Sequence, residues 1–281
     1  MSVTVPPVEQ RHGNALGDAW VVARRMLLHY RRQPEALADV TIQPVMFVLL
    51  FAFVFGGAIN VTGGSYREFL MGGIFAQTIV FGAFAVAVSL AHDRTNGAID
   101  RFRALPMARS AILAGHAIAS LLRALLPIFL MSVCGLIVGW RINSSVVDAI
   151  GGYALMIGFS FAVIWLGVLM GSVLPSPEAV QGIGFIIIFP LTFVASTFVP
   201  IESLPGVLQT IAEWNPVTAV AEALRRLFGN PGADSLPGAG GGAAAAWPIQ
   251  HSVLYSVIWI VGIVAVCAPL AVRAYQRTIS D

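Results

Sequence analysis

The sequence predicts an all-α integral membrane protein: six transmembrane helices, an N-terminal amphipathic elbow helix, and short external re-entrant or surface helices before the last span. Three observations predict it. Of 281 residues, 57% are hydrophobic and 11% charged, with a mean hydropathy of +0.82. Soluble domains carry roughly 25% charged residues, so the charge is too sparse to cover a globular surface. The apolar residues also gather into six runs of the length that a helix needs to cross about 30 Å of hydrocarbon, about 20 residues each. Finally, the arginines crowd to one side of those runs.

From the N-terminus, Met1 to Gly17 carries Pro6, Pro7, Glu9 and Arg11 and no sustained apolar core, so no cleavable signal peptide is expected. Next, Leu16, Trp20, Ala23, Leu27 and Tyr30 recur at helical spacing, while Arg24 and Arg25 repeat as Arg31 and Arg32 on the other side. That pattern suits a helix lying along the inner membrane surface; the alternative is a soluble helix packed on a partner. Pro34 ends it before the first span.

The six predicted spans are Val40 to Ile59, Phe69 to Ala91, Ala117 to Trp140, Ala149 to Leu174, Ala179 to Ile201 and Ile249 to Val272. The second, fourth, fifth and sixth contain no Asp, Glu, Lys or Arg. The third carries Arg123 and Pro127, and its helix is expected to begin outside the hydrocarbon so that Arg123 can snorkel to the interface. With the N-terminus in the cytoplasm, eleven arginines fall inside and four outside (Arg67, Arg141, Arg225, Arg226). This positive-inside bias places both termini in the cytoplasm.

The long external segment, Pro200 to Pro248, has its own pattern. Asn215 before Pro216 reads as a cap followed by a proline at the first helical position. Val217, Val220, Ala221, Leu224, Leu227 and Phe228 then make one stripe, with Glu222 and Arg226 expected to pair on the polar face and Gly229 to stop the helix. Leu204 to Trp214 is a second short, half-apolar stretch, and residues 230–246 are rich in Gly, Ala and Pro.

Chemistry is sparse by comparison. All sixteen basic residues are Arg, so the Lys that a phosphate-binding G-x-x-x-x-G-K-[ST] loop requires is missing. ATP, if it drives this chain, is then hydrolysed by another polypeptide. No H-E-x-x-H, G-x-S-x-G or Cys/His cluster occurs, and no nucleophile–base pair can be named. Cys134 and Cys267 lie inside apolar runs, where Cys behaves as a small hydrophobe. Arginines flanking spans are explained by membrane orientation, which argues against nucleic-acid binding. Ion-coupled carriers need titratable groups near the bilayer midplane, whereas Asp93, Asp100, Asp148, Glu178 and Glu202 all sit at or beyond span ends. Gln77, Thr78, Ser160, Trp165, Thr192 and Ser196 are the candidates to line a path, although small hydroxyl residues commonly serve helix packing. Such a path suits hydrophobic or amphiphilic cargo.

The most informative segment is Ala91 to Pro106, a charged stretch between two apolar runs that contains Asp93, Arg94, Asp100, Arg101 and Arg103. With its terminal Pro106, it reads as a short ordered element that a soluble partner grips, beyond simple positive-inside anchoring.

Three stretches carry a resemblance: Asp93 to Ser110, Leu174 to Gln181, and Phe198 to Pro200 continuing through Trp214 to Arg226. Over nearly its whole length the chain resembles the permease subunits of ABC-2 type exporters, and among them the daunorubicin/doxorubicin-resistance drug-efflux family. That family commonly has Glu where this chain has His92 or Asp93. The resemblance implies a single ABC-2 transmembrane domain over 1–281. Residues 1–34 would be the tail and elbow (Trp20, Arg24, Arg25, Arg31, Arg32). Residues 35–174 would hold spans 1–4 with a coupling loop at 91–110, and 175–281 spans 5–6 with the external segment 200–248. It further implies an ABC ATPase subunit, which would bind ATP and Mg; this chain would hold no cofactor or metal. The ATPase would seat the coupling residues Asp93, Arg94, Asn96, Gly97, Asp100, Arg101, Phe102, Arg103 and Pro106. A second permease copy or a related permease would complete the pore in the cell membrane. Asn215, Pro216, Glu222 and Arg226 would form the external gate. Drug export is the leading expectation; lipid or glycolipid export by the same machinery, an ion-coupled drug carrier and a non-transporting, ATPase-linked scaffold are the alternatives.

Overall fold

The computed structural model describes residues 17, 20, 21, 23, 24, 26–28, 34–57, 64–96, 109–201, 204–232 and 246–280, with backbone alone at 34–40, 109–113 and 275–280. Ahead of the first long helix, Gly17, Trp20, Ala23 and Arg24 are helical, with Trp20 and Arg24 exposed and Ala23 buried. Arg25, Arg31 and Arg32 lie outside the described residues.

Among the described residues the helices are α1 (Pro34–Val54), α2 (Tyr66–Thr95), α3 (Arg109–Val138), α4 (Val146–Val173), α5 (Pro177–Phe193), α6 (Gly206–Glu213), α7 (Pro216–Phe228), α8 (Trp247–Gln250) and α9 (Ser252–Ser280). Four of them, α2, α3, α4 and α9, contain stretches long and apolar enough to cross a membrane. Thr41–Val54 of α1 and Pro177–Phe193 are shorter apolar helices.

Local sequence explains most boundaries. Ser65 caps α2 in a reciprocal box: its Oγ accepts from Glu68 N–H at 3.3 Å and Glu68 Oε2 accepts from Ser65 N–H at 3.1 Å. Ser145 Oγ accepts from Asp148 N–H, and Ser176 Oγ from Ala179 N–H with Pro177 following, so α4 and α5 start by the same device. Gly139, at φ +110°, ends α3, where Arg67 Nη1 donates to Val138 O at 2.9 Å.

Three expected spans differ at their ends. The first was expected to reach Ile59, but its helix stops at Val54, with a turn over Phe55 to Gly57. A Cβ on Gly56 would stand 2.1 Å from Ala52 O, so this turn needs glycine. The fifth was expected to run to Ile201 and stops at Phe193. Leu191 O, which a continuing helix would give to Ala195, accepts from Asn215 Nδ2 at 2.7 Å. Thr192 O accepts from Thr197 Oγ1 at 3.2 Å, and Ser196 N–H donates to Thr218 Oγ1 at 3.1 Å. Tertiary partners have taken the groups that would extend the helix. The sixth was expected from Ile249, but a break at His251 separates α8 from α9. There Arg226 Nη1 donates to Gln250 O at 2.7 Å.

Helix α2 is the centre of the bundle, packing against α1, α3, α4, α5 and α7, while α9 packs along α4. Helices α2 and α4 run parallel: a Cβ on Gly167 would meet Ala83 O at 2.3 Å, and one on Gly171 would meet Ala87 O at 2.6 Å. Small residues bring the two backbones together, the favoured way to associate helices where lipid offers no hydrophobic drive. An aromatic cluster fills one end of the core, with Trp140 and Phe228 edge-to-face at 5.3 Å and Tyr153 against Phe228 at 5.5 Å.

Candidate functional site

Candidate functional residues gather at the two ends of α2. At its C-terminus, Asp93 Oδ2 meets His116 Nε2 of α3 at 3.3 Å; His116 is buried and Asp93 half exposed. The next residue, Arg94, reaches across to α4. Its Nη1 donates to Gly171 O at 3.0 Å, Ser172 O at 2.8 Å and Leu174 O at 3.1 Å. A cation set among the last carbonyls of a helix satisfies unpaired acceptors and opposes the negative end of the helix dipole. Thr95 Oγ1 back-bonds to Ala91 O and His92 O, and Asn96 closes the turn through its N–H to His92 O at 3.0 Å. Asp93 and Arg94 thus tie the base of the charged segment to α3 and α4. Gly97, Asp100, Arg101, Phe102, Arg103 and Pro106 lie outside the described residues.

At the other end, α7 begins as expected. Asn215 Oδ1 accepts from Val217 N–H at 2.8 Å, Pro216 is in the first turn, and Gly229 ends the helix at φ +65°. Its stripe is buried, Leu227 only partly. Glu222, expected on a polar face with Arg226, is instead 5% exposed. Its Oε1 accepts from Arg225 Nη1 and from Ser196 Oγ. Arg225 is fully buried. Its Nε donates to Phe69 O at 2.8 Å, Nη1 to Ser196 Oγ at 3.0 Å and Nη2 to Ser196 O at 2.6 Å. One side chain joins α2, α7 and the turn after α5. A buried guanidinium is tolerable because carboxylate, carbonyl, hydroxyl and ring together replace water. Beyond α7, Asn230 bridges the neighbouring loop: its Oδ1 accepts from Trp140 Nε1 and its Nδ2 donates to Arg141 O, both at 2.7 Å.

Arg225 and His116 were not singled out from sequence. The available signal for Arg225 was its place four residues after Ala221, at the edge of the apolar stripe. His116 gave no comparable signal, since its partner comes from another helix.

The candidate path residues are placed in the protein interior. Gln77, Ser160, Thr192 and Ser196 are buried, and Thr78 and Trp165 half-buried. Thr192 Oγ1 donates to Ile188 O at 2.8 Å and Ser196 belongs to the Arg225 network. Gln77 Nε2, Ser160 Oγ and Trp165 Nε1 are buried with no hydrogen-bond partner among the described residues. The parallel register of α2 and α4 sets Ser160 at the level of Ala76 and Gln77.

Four long apolar helices and two shorter ones make this an α-helical, multi-pass membrane protein. Residues 18–228 match the family model described as ABC-2 type transporter. The chain belongs to the ABC-2 type transporter family, with a general role as a membrane transport permease. It is 31% identical to daunorubicin resistance ABC transporter permease protein DrrB1 of Streptomyces coeruleorubidus, over 90% of this chain and 84% of that protein. It is 23% identical to "Probable doxorubicin resistance ABC transporter permease protein DrrC" of Mycobacterium tuberculosis, over 90% of this chain and 86% of that one. A protein of Cyanophora paradoxa whose name gives only a transport permease, ycf38, is 25% identical over 75% and 74% of the two chains.

Proposed function

We propose that this chain is the membrane-spanning subunit of an ATP-driven exporter that moves hydrophobic or amphiphilic drugs outward. Six spans cross the membrane, α1 and α5 completing the four long helices, with both termini in the cytoplasm. A separate ABC ATPase subunit binds ATP and Mg and grips the segment from Asp93 to Pro106. A second copy or a related permease completes the pore. The observation that carries this reading is the 31% identity to a daunorubicin-resistance permease across 90% of the chain, joined to a sequence without a single Lys for a phosphate-binding loop.

The geometry supports it at both ends of α2. The Asp93–His116 and Arg94–α4 contacts make a firm base on which a coupling element can be pushed. The hairpin of α6 and α7 is the external gate, with Trp214 and Asn215 linking the two helices and Pro216 opening α7. Gln77, Ser160 and Trp165 serve the path, their buried polar atoms, without a hydrogen-bond partner among the described residues, being available to cargo when the bundle opens.

The test is co-expression with candidate ATPase subunits, tagged purification of this chain, and assay of drug efflux in reconstituted vesicles. The expected result is an ATPase that co-purifies and on which efflux depends. Robust efflux by this chain alone makes it a carrier instead. ATPase-dependent movement of a lipid probe with no movement of drug assigns the same machinery to lipid or glycolipid export, a cargo the name of the ycf38 relative leaves open.

A further inference from the structure

Helix α2 is clamped by arginines at both ends. Phe69, under Arg225, and Asp93, beside Arg94, lie 24 residues apart, which is about 36 Å of helix at about 1.5 Å per residue. Between the clamps, α2 lies backbone-to-backbone along α4 at Ala83 with Gly167 and Ala87 with Gly171. A displacement at the Arg94 end therefore has little room to dissipate as bending or sliding before it reaches Phe69. At that end Arg225 joins α2 to α7 and to the turn after α5.

We propose that α2, bolted to α4, is the lever that carries the coupling stroke to the external hairpin, with Arg94 and Arg225 as the positioning residues at its two ends. The proposal rests on the permease reading above and assigns Arg94 an internal role. Its Nη1 donates to three carbonyls of α4 and the following loop, so it holds α4 to the stroke and leaves ATPase contact to the residues beyond Asn96. The three acceptors converge on a single nitrogen, Nη1. A lysine ammonium, with three donors, can serve part of that cage, whereas a glutamine cannot supply the charge.

The experiment uses the full chain with its ATPase in lipid nanodiscs. Val207→Cys on α6, 77% exposed, is labelled with a membrane-impermeant maleimide with and without a non-hydrolysable ATP analogue. The nucleotide is expected to change the labelling rate in the otherwise unaltered chain. Arg94→Gln should shrink that change about fivefold or more, the scale of a modest coupling energy, with the ATPase still bound. Arg94→Lys should keep most of it. The double variant Arg225→Met/Glu222→Gln, which removes both charges of the buried pair, should shrink it as Arg94→Gln does; if it does not fold, the Arg94 pair decides. A full-sized response in Arg94→Gln overturns the lever and leaves the permease reading standing. Loss of ATPase binding in Arg94→Gln makes Arg94 a docking residue and likewise overturns it. An unaltered complex with no bound ATPase or no nucleotide response overturns the permease reading, and the lever with it.

Discussion

Arg225 lies over the ring of Phe69, its guanidinium carbon 3.6 Å from the ring centroid, while its Nε donates to the carbonyl of the same residue at 2.8 Å. Ring and carbonyl of one residue thus hold one cation, 156 positions apart in sequence. The pair fixes where α7 sits on α2, and Glu222 and Ser196 complete its shell.

Removing the cation alone should be severe. Arg225→Met takes the guanidinium away from the buried Glu222 carboxylate, and breaking a buried ion pair from one side costs about 3–5 kcal/mol. Arg225→Met with Glu222→Gln should recover much of that loss. Thermal melting followed by size-exclusion profile in detergent measures both; equal stability of the single and double variants would show that the two charges do not depend on each other.

Gly73→Ala should destabilise by about 1–3 kcal/mol, the usual cost of overpacking. Its Cβ would stand 2.0 Å from Thr197 O and force α2 away from the turn after α5. Gly262→Ala on α9, with nothing within 4 Å of its Cβ, is the matched control and should melt like the parent.

Asn215 serves two elements. Its Oδ1 caps α7 and its Nδ2 holds Leu191 O at the end of α5. Asn215→Ala should cost about 1–2 kcal/mol for the lost cap, and Asn215→Leu should also impair efflux if the hairpin gates the path. Asn215→Asp, which keeps the cap acceptor and loses the amide donor, separates the two roles by its melting temperature. Normal efflux in Asn215→Leu would remove the hairpin from gating.

Charge reversal at Arg101 and Arg103 together should release the ATPase from the complex while leaving membrane insertion intact. Pull-down of the ATPase and membrane fractionation of the chain read the two effects separately. Full ATPase retention with undiminished efflux would show that the coupling contact lies elsewhere on the chain.

Replacing Trp140 with Phe keeps the edge-to-face packing on Phe228 but deletes the Nε1 donor to Asn230 Oδ1. A loss of about 1–3 kcal/mol is expected for a polar atom left unsatisfied in a part-buried setting. If Trp140→Phe melts like the parent, water has replaced the indole donor at Asn230.

The limits of α7 were readable in advance from Asn215, Pro216 and Gly229, because each is a signal within a few residues of the helix it bounds. Ser65 with Glu68 and Ser145 carry local signals of the same kind, and with them α2 and α4 start three residues ahead of the expected spans. The apolar runs themselves announced the membrane, since burying charge-free stretches of that length leaves few alternatives. The ends of the fifth and sixth expected spans were hidden for the opposite reason. Asn215, Thr218 and Arg226 stop or break those helices from far along the chain, and a hydropathy pattern carries no trace of a carbonyl claimed by a distant side chain.

The same division holds for the candidate sites. Sequence alone determined a multi-pass helical membrane protein with a charged segment between its second and third apolar runs and a capped, amphipathic helix at 216–228, because composition and short-range periodicity are local properties. Tertiary structure decided that Arg94 closes α4, that Asp93 meets His116, and that Arg225 is buried against Phe69 and Glu222. An arginine in isolation reads as solvated. Only packing shows whether carbonyls, a ring and a carboxylate stand ready to replace its water.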